Sequence, residues 1–288
     1  MACSLSILDA SQPQPHTKPL WAVAAFVTSA AFVTSVLAQG LVLLFEQRGS
    51  SASAARMIET PLALARGALI VQLALGSLIV VVLVRYRELR QRITIQARLS
   101  WMSWANCLGL VLGLAPIAND LGIRLAQALH QSPENSVWVV QVVQNASAGE
   151  FAILAVVLTV MPALVEELLF RGVLTGALLG APTWLVIGLQ ALAFGAFHVE
   201  VAQGIATFIL GLGFGFMRLK TGTLAVSMVS HATYNAIVLA SMRFSHESSS
   251  SSAHQAAGVV LGGALLSAVC VMGLLRQELG ASPNPKSL

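Results

Sequence analysis

Long apolar runs constrain this chain more than any other feature of its sequence. They recur along its whole length, at residues 20–45, 67–84, 101–118, from 151 toward 180, 182–198, 201–217, 223–242 and 256–275. A helix of about 20 apolar residues is long enough to cross the hydrocarbon core of a bilayer. The pattern predicts an all-α fold, a polytopic transmembrane helical bundle of about eight transmembrane helices.

The composition supports a membrane protein and argues against a nucleic-acid partner. Hydrophobic residues make up 56% and charged residues 10% of the 288 residues, whereas a soluble domain carries about 25% charge. The net charge is +4, but the basic residues lie between the apolar runs and form no separate basic domain. We interpret them as topology signals and expect an integral, multi-pass protein of the plasma (inner) membrane.

The distribution of basic residues predicts the orientation of the helices. With the N-terminus inside, cytoplasmic segments hold 11 of the 16 Lys and Arg residues, including the five arginines of 85–98. Positive charge is enriched on the cytoplasmic side of membrane proteins. Both termini are therefore expected in the cytoplasm.

Three ionisable residues interrupt the fourth apolar run. Glu166, Glu167 and Arg171 lie in the stretch 161–172, and ionisable groups at membrane depth usually line a cavity or pair with one another. Glu167 and Arg171 are four residues apart, so they can form an ion pair along a helix. Glu166 is rotated from Glu167 by about 100°. We expect a structural Glu167–Arg171 pair and a Glu166 that faces a cavity.

Two later helices carry the other polar groups that can face an interior. Phe194 and His198 are four residues apart near the end of the fifth run, and His231 and Asn235 have the same spacing in the seventh. If runs four and five form a hairpin near residue 181, Glu166 and His198 lie about 22 and 25 Å from the turn. The corresponding turn before the seventh run brings His231 and Asn235 to a similar depth.

The residue types of this set allow more than one chemistry. A carboxylate beside a histidine can accept a proton from water, while further His and Asn donors stabilise an oxyanion. Glu166, His198 and His231 are also possible zinc ligands with one open position. Buried Glu and His residues also form proton relays in transporters. The residue types alone do not distinguish between a metal-independent hydrolase, a zinc enzyme and a proton-coupled carrier.

At these positions the chain resembles the CPBP family of intramembrane proteases, which includes type II CAAX prenyl endopeptidases and bacteriocin-processing or immunity (Abi) proteins. The three family motifs occur in order, as Glu-Glu-x-x-x-Arg at 166–171, Phe-x-x-x-His at 194–198 and His-x-x-x-Asn at 231–235. The resemblance covers about residues 150–240. It implies an α-helical protease core, and the first three helices and the last agree with it only in number.

The resemblance also implies roles for the site residues. Glu166 and His198 look like the pair that activates water, His231 and Asn235 like the oxyanion site, and Glu167, Arg171 and Phe194 like supporting residues. The implied enzyme is glutamate-dependent although the family is often labelled a metalloprotease, so no metal is favoured and zinc stays possible. The expected partners are the bilayer and a peptide or membrane-protein substrate. A non-catalytic immunity or scaffold protein of the same fold is the further alternative.

We divide the chain accordingly. The expected units are a polar arm at 1–19, N-terminal helices and loops at 20–149, a catalytic core at 150–242, and a Ser-rich loop, last helix and polar tail at 243–288.

Overall fold

Helices account for nearly all of the chain that the structure describes. A computed structural model describes residues 20–48, 60–95, 99–130, 134–244 and 253–280. The helices are α1 (Leu20–Arg48), α2 (Pro61–Arg85), α3 (Arg87–Arg92), α4 (Trp101–Ala128), α5 (Glu134–Asn145), α6 (Ala148–Leu178), α7 (Thr183–Phe197), α8 (Val201–Thr221), α9 (Ala225–Phe244) and α10 (Ala253–Gly280). Within these ranges there is no β-strand, and the prediction of an all-α fold is confirmed.

Several segments discussed above lie outside the described residues. They are the polar arm at 1–19, the residues 245–252 of the Ser-rich loop and the polar tail from 281 onward. The proposed division into four units therefore stays a prediction.

Local capping signals explain where the central helices begin and end. The Thr60 side chain accepts a hydrogen bond from the Ala63 amide at the start of α2. At the start of α6, Ser147 and Glu150 form a reciprocal capping box. Helix α8 ends at Gly222, whose φ of 71° lies in the left-handed region that glycine adopts without steric cost. The end of α8 at Gly222 agrees with the turn that the sequence predicts before the seventh apolar run.

Helix α6 carries the Glu-Glu stretch and is not a regular α-helix. Its backbone widens to π-helical geometry at Val156–Val160 and again at Leu168–Leu174, with the α-helical turn Met161–Glu167 between them. Such π-helical insertions are rare and occur frequently at functional sites. The helix continues to Leu178, and the chain turns at Gly180 into α7, as the predicted hairpin requires.

The membrane-length helices differ in how deeply they are buried. In α6 and α8, 44% of the 18-residue apolar stretch is buried, compared with 22% in α2 and α10. Helices α6 and α8 are therefore the central ones. Helix α8 pairs with α7 and α4, and α10 packs on the other side of α4. Helices α2 and α9 both contact α6. The three helices with polar motifs thus surround one interior region.

The outer surface is apolar, as a lipid-facing surface must be. Large side chains such as Trp184, Trp101 and Val84 are more than 70% exposed. Five of the described helices, α2, α4, α6, α8 and α10, are long and apolar enough to cross a membrane. Helix α7 has only 15 residues, so the predicted count of about eight spans is not confirmed. The protein is membrane-embedded.

Candidate active site

A cavity of about 320 Å³ lies between α5, α6, α7, α8 and α9. Its polar lining includes Glu166, His198, His231 and Asn235, which are the four residues expected from the three motifs. They come from three stretches of the sequence, and the structure brings them to one cavity. The other lining residues are Val139, Leu158, Pro162, Phe194, Gln203, Ala206, Thr207, Leu210, Phe214, Tyr234, Val238, Leu239 and Met242.

The cavity lining includes both titratable and apolar groups. His231 and Asn235 lie near the middle of α9. Val238, Leu239 and Met242 follow toward the C-terminal end of the same helix. Leu158 of α6 and Val139 of α5 add to the apolar side. The cavity therefore combines a cluster of titratable groups with an apolar wall.

Glu166 lines the cavity and is held from behind by a residue of α2. Only 6% of Glu166 is exposed, and its Oε1 accepts a hydrogen bond of 3.2 Å from Nε2 of Gln72. Gln72 is itself 6% exposed. A buried carboxylate loses its hydration and needs such a donor.

Glu167 points away from the cavity and is fully buried between two donors. Its Oε1 accepts from Arg171 Nη1 at 2.8 Å and contacts His231 Nδ1 at 3.0 Å. Glu167 and Arg171 are both 0% exposed. The expected structural ion pair is present, and its second contact joins it directly to the motif of α9.

Arg171 is enclosed by aromatic rings and one main-chain acceptor. Its guanidinium carbon lies 4.4 Å from the ring centroid of Phe194 and 5.0 Å from that of Phe214. Its Nη2 donates to the Gly211 carbonyl at 3.3 Å, and Gln190 donates to the same carbonyl at 2.8 Å. A guanidinium over aromatic faces is stabilised by cation–π attraction, which strengthens when the site is desolvated.

The hydrogen bonds of the two histidines determine which ring nitrogen is available. His198 Nδ1 lies 2.9 Å from the Phe194 carbonyl oxygen, which only accepts, so this nitrogen carries the proton. His231 Nδ1 faces the Glu167 carboxylate in the same way. Each ring therefore leaves Nε2 for the cavity. On a neutral ring Nε2 is an acceptor, and on an imidazolium it is a donor.

Aromatic packing fixes the orientation of both imidazoles. His231 stacks on Phe214 with ring centroids 5.1 Å apart, and Phe194 meets His198 edge-on at 5.1 Å. Phe194 also contacts His231 at 5.7 Å. Phe194, expected as a supporting residue, thus packs against both histidines and Arg171 at once.

The geometry does not favour the zinc site that the residue types allow. Within the described ranges, no three His, Cys, Asp or Glu side chains are grouped closely enough to hold a metal ion. Each Nδ1 is engaged as described above, which leaves Nε2 as the free ring nitrogen and does not by itself argue for or against a metal. We derive no step through a metal, and the dependence on zinc stays a prediction to be tested.

Two contributors were missed by sequence reasoning. Gln72 lies in an apolar run far from the motifs, and Phe214 lies in the glycine-rich part of α8. Gln72 had a detectable signal, because an amide inside a membrane-length run usually hydrogen-bonds to a neighbouring helix. Nothing in the local sequence distinguishes Phe214 from the other phenylalanines.

Comparison with known families agrees with the motifs. Residues 148–237 match the family model of the Rce1-like type II CAAX prenyl endopeptidases, and this range contains all three motifs. The match spans less than half of the chain. No curated protein and no solved structure matches the chain. The resemblance predicted from the motifs is confirmed, because residues 148–237 are similar to this protease family.

Proposed function

We propose that this chain, with its Rce1-like domain at 148–237, is an intramembrane endopeptidase that hydrolyses a peptide bond of a membrane-associated or lipidated substrate. One observation carries the proposal: Glu166, His198, His231 and Asn235 line a single cavity with an apolar wall. Glu and His residues also form proton relays in transporters, but the match of residues 148–237 to a protease family favours the hydrolase.

Water activation is assigned to Glu166 and His198. Because His198 Nδ1 donates to a main-chain carbonyl, its neutral ring offers Nε2 as an acceptor. The ionised Glu166 carboxylate is a second acceptor. A water molecule can donate one hydrogen to each and attack the scissile carbonyl carbon while Glu166 takes its proton. General-base catalysis of this kind contributes about 10²–10⁴-fold.

Oxyanion stabilisation is assigned to Asn235 and His231. The Asn235 amide donates in any state, whereas His231 donates through Nε2 only as an imidazolium. Glu167 accepts from Nδ1, which lies 3.0 Å from its carboxylate, and so orients the ring with Nε2 toward the cavity. Donors aimed at a developing oxyanion act most strongly where water is excluded.

Collapse of the tetrahedral intermediate completes the reaction. The carbonyl re-forms, the carbon–nitrogen bond breaks, and the leaving amine takes the proton that Glu166 received from water. The products are a carboxylic acid and an amine, and Glu166 returns to its ionised form. The acid then passes its proton to the amine or to solvent and becomes a carboxylate. No covalent intermediate with the protein is required.

The apolar wall suggests where the substrate lies. Leu158, Val238, Leu239 and Met242 can contact an apolar side chain or a lipid group next to the scissile bond. The name of the matched family points to prenylated C-terminal peptides, which we include in the proposal as the first substrate class to test.

The test compares cells that express the wild type with cells that express Glu166→Gln or His198→Ala. New peptide termini in membrane and secreted proteins are mapped by mass spectrometry. We expect termini that appear only with the wild type, and a loss of at least about 10²-fold in their rate of formation in either variant. The variants must accumulate in the membrane like the wild type.

Two outcomes would contradict the proposal. Full processing by Glu166→Gln would exclude Glu166 as the base. The absence of any wild-type-specific terminus, with equal accumulation, would favour the transporter or scaffold alternatives. Repeating the assay after treatment with a strong chelator tests the zinc alternative. We expect processing to continue, whereas its loss would favour a zinc enzyme.

A further inference from the structure

Gln72 connects the N-terminal part of the chain to the proposed base. It lies on α2, 94 residues before Glu166 and outside the range that matches the protease family. Its Nε2 donates to Glu166 Oε1 at 3.2 Å, and both side chains are 6% exposed. Gln72 is not among the residues that line the cavity, so it contacts the base from outside the cavity.

The second half of the Gln72 amide has no protein partner. Its Oε1 is buried and accepts no hydrogen bond from any described residue. Leaving a buried polar atom unsatisfied is unfavourable. If this side chain served only to pack α2 against α6, an apolar side chain of the same shape would fill the space equally well and leave no polar atom unsatisfied.

The Gln72 donor can keep its contact when the protonation of Glu166 changes. As a carboxylate Glu166 only accepts, and Nε2 of Gln72 donates to its Oε1. When the other carboxyl oxygen holds the proton taken from water, Oε1 is still an acceptor and keeps the same donor. The carboxamide is thus matched to both states that the proposed mechanism requires of its base.

We infer that Gln72 is a positioning residue that holds the Glu166 carboxyl group in register through the proton-transfer cycle. The inference rests on the proposed function. It also assigns a role in the reaction to α2, which lies outside the family domain. A misplacement of a catalytic group by about 1 Å can cost on the order of 10²-fold in rate.

The test uses the full-length protein with Gln72→Met and Gln72→Glu. Methionine keeps the volume and flexibility of the side chain but has no donor, and glutamate keeps the shape but offers only acceptors. Leu75→Met, at a buried position one turn away, controls for repacking, and Ser77→Ala controls for the exposed face of α2.

The readout is the rate at which the Glu166-dependent termini form in cells, followed by kcat and KM on a peptide that spans such a cleavage site. For Gln72→Met we expect kcat to fall on the order of 10- to 100-fold with KM within about 2-fold of the wild type. Gln72→Glu should lose at least as much, since two carboxylates then face each other. Both controls should keep wild-type kcat.

Each contrary result has its own meaning. Wild-type kcat in Gln72→Met would overturn the inference and leave the proposed function intact. A rise in KM without a change in kcat, or an equal loss in Leu75→Met, would show that Gln72 acts only through packing. If no terminus depends on Glu166, the proposed function fails first and the inference falls with it.

Discussion

At the scale of single residues, the buried charges are held by reciprocal contacts. Arg171 and Glu167 are both fully buried and form an i, i+4 ion pair within α6. Their mutual attraction offsets the large cost of removing each charge from water, but only while both are present. Because Glu167 also contacts His231, the pair supports the site as well as the helix.

Removing one member of this pair should therefore be more harmful than removing both. We expect Arg171→Met to lower the free energy of unfolding by about 3–5 kcal/mol, because Glu167 is left as an uncompensated buried charge. The double variant Arg171→Met, Glu167→Gln should recover part of that loss. Reversible unfolding in mixed detergent micelles measures both effects.

The exposed pair of Arg124 and Asp120 on α4 is the matched control. It has the same i, i+4 spacing and a distance of 2.7 Å, but the Arg124 side chain is 68% exposed. Arg124→Met should leave stability nearly unchanged, since solvent screens exposed pairs. Equal stability of Arg171→Met and the wild type would show that burial does not make the inner pair essential.

At the scale of helices, the crossing of α7 and α8 determines where His198 lies. A Cβ atom on Gly195 would come within 2.6 Å of the Gly204 carbonyl oxygen and 3.0 Å of the Phe208 Cβ. Close backbone approach is the usual reason for small residues between membrane helices. Gly195 is three residues before His198, so this contact positions the last turn of α7 against the cavity.

We expect Gly195→Ala to move the end of α7 away from α8. Overpacking of this kind costs about 1–3 kcal/mol, and the displacement of His198 should lower the rate of processing more than it lowers accumulation. Thermal unfolding of the purified protein and the terminus assay measure the two effects separately.

Gly188 on the same helix provides the control. No atom lies within 4 Å of a Cβ built there, so Gly188→Ala should be tolerated and can gain up to about 1 kcal/mol from helix propensity. Were Gly195→Ala as active and stable as Gly188→Ala, the close crossing would not determine the site.

At the scale of the whole molecule, the orientation in the membrane is still a prediction from charge. The arginines of 85–98 lie at the end of α2 and in the segment between α2 and α4, and α3 exposes Arg87 and Arg90. The positive-inside rule places this segment, and both termini, in the cytoplasm. The Ser-rich segment around residue 250 is then outside, and in a plasma-membrane protein it faces the medium.

Cysteine labelling tests this orientation directly. In a Cys3→Ser background, an impermeant maleimide should label Ser250→Cys in intact cells and Gln91→Cys only after permeabilisation. The native Cys107 and Cys270 are buried, so the maleimide should label neither of them in intact or in permeabilised cells. The reverse labelling pattern would invert the topology, and labelling of neither site in intact cells would contradict a plasma-membrane location.

Part of the fold and of the site could be predicted because it depends on local sequence. Membrane-length apolar runs identify an all-α membrane protein, and the paired motifs identify four cavity residues through helical spacing. The count of about eight spans was less secure, since hydropathy does not distinguish a full span from the 15-residue α7, nor from α9 with its polar cavity face.

By itself, the sequence determined the class of the protein, the motif residues and the Glu167–Arg171 pair, because each depends on composition or on spacing within one helix. Only the tertiary structure decided that Gln72 donates to Glu166 and that Glu167 contacts His231, residues 94 and 64 positions apart. Such contacts depend on how helices cross and rotate against one another. That geometry is a property of packing between helices, and no single helix encodes it.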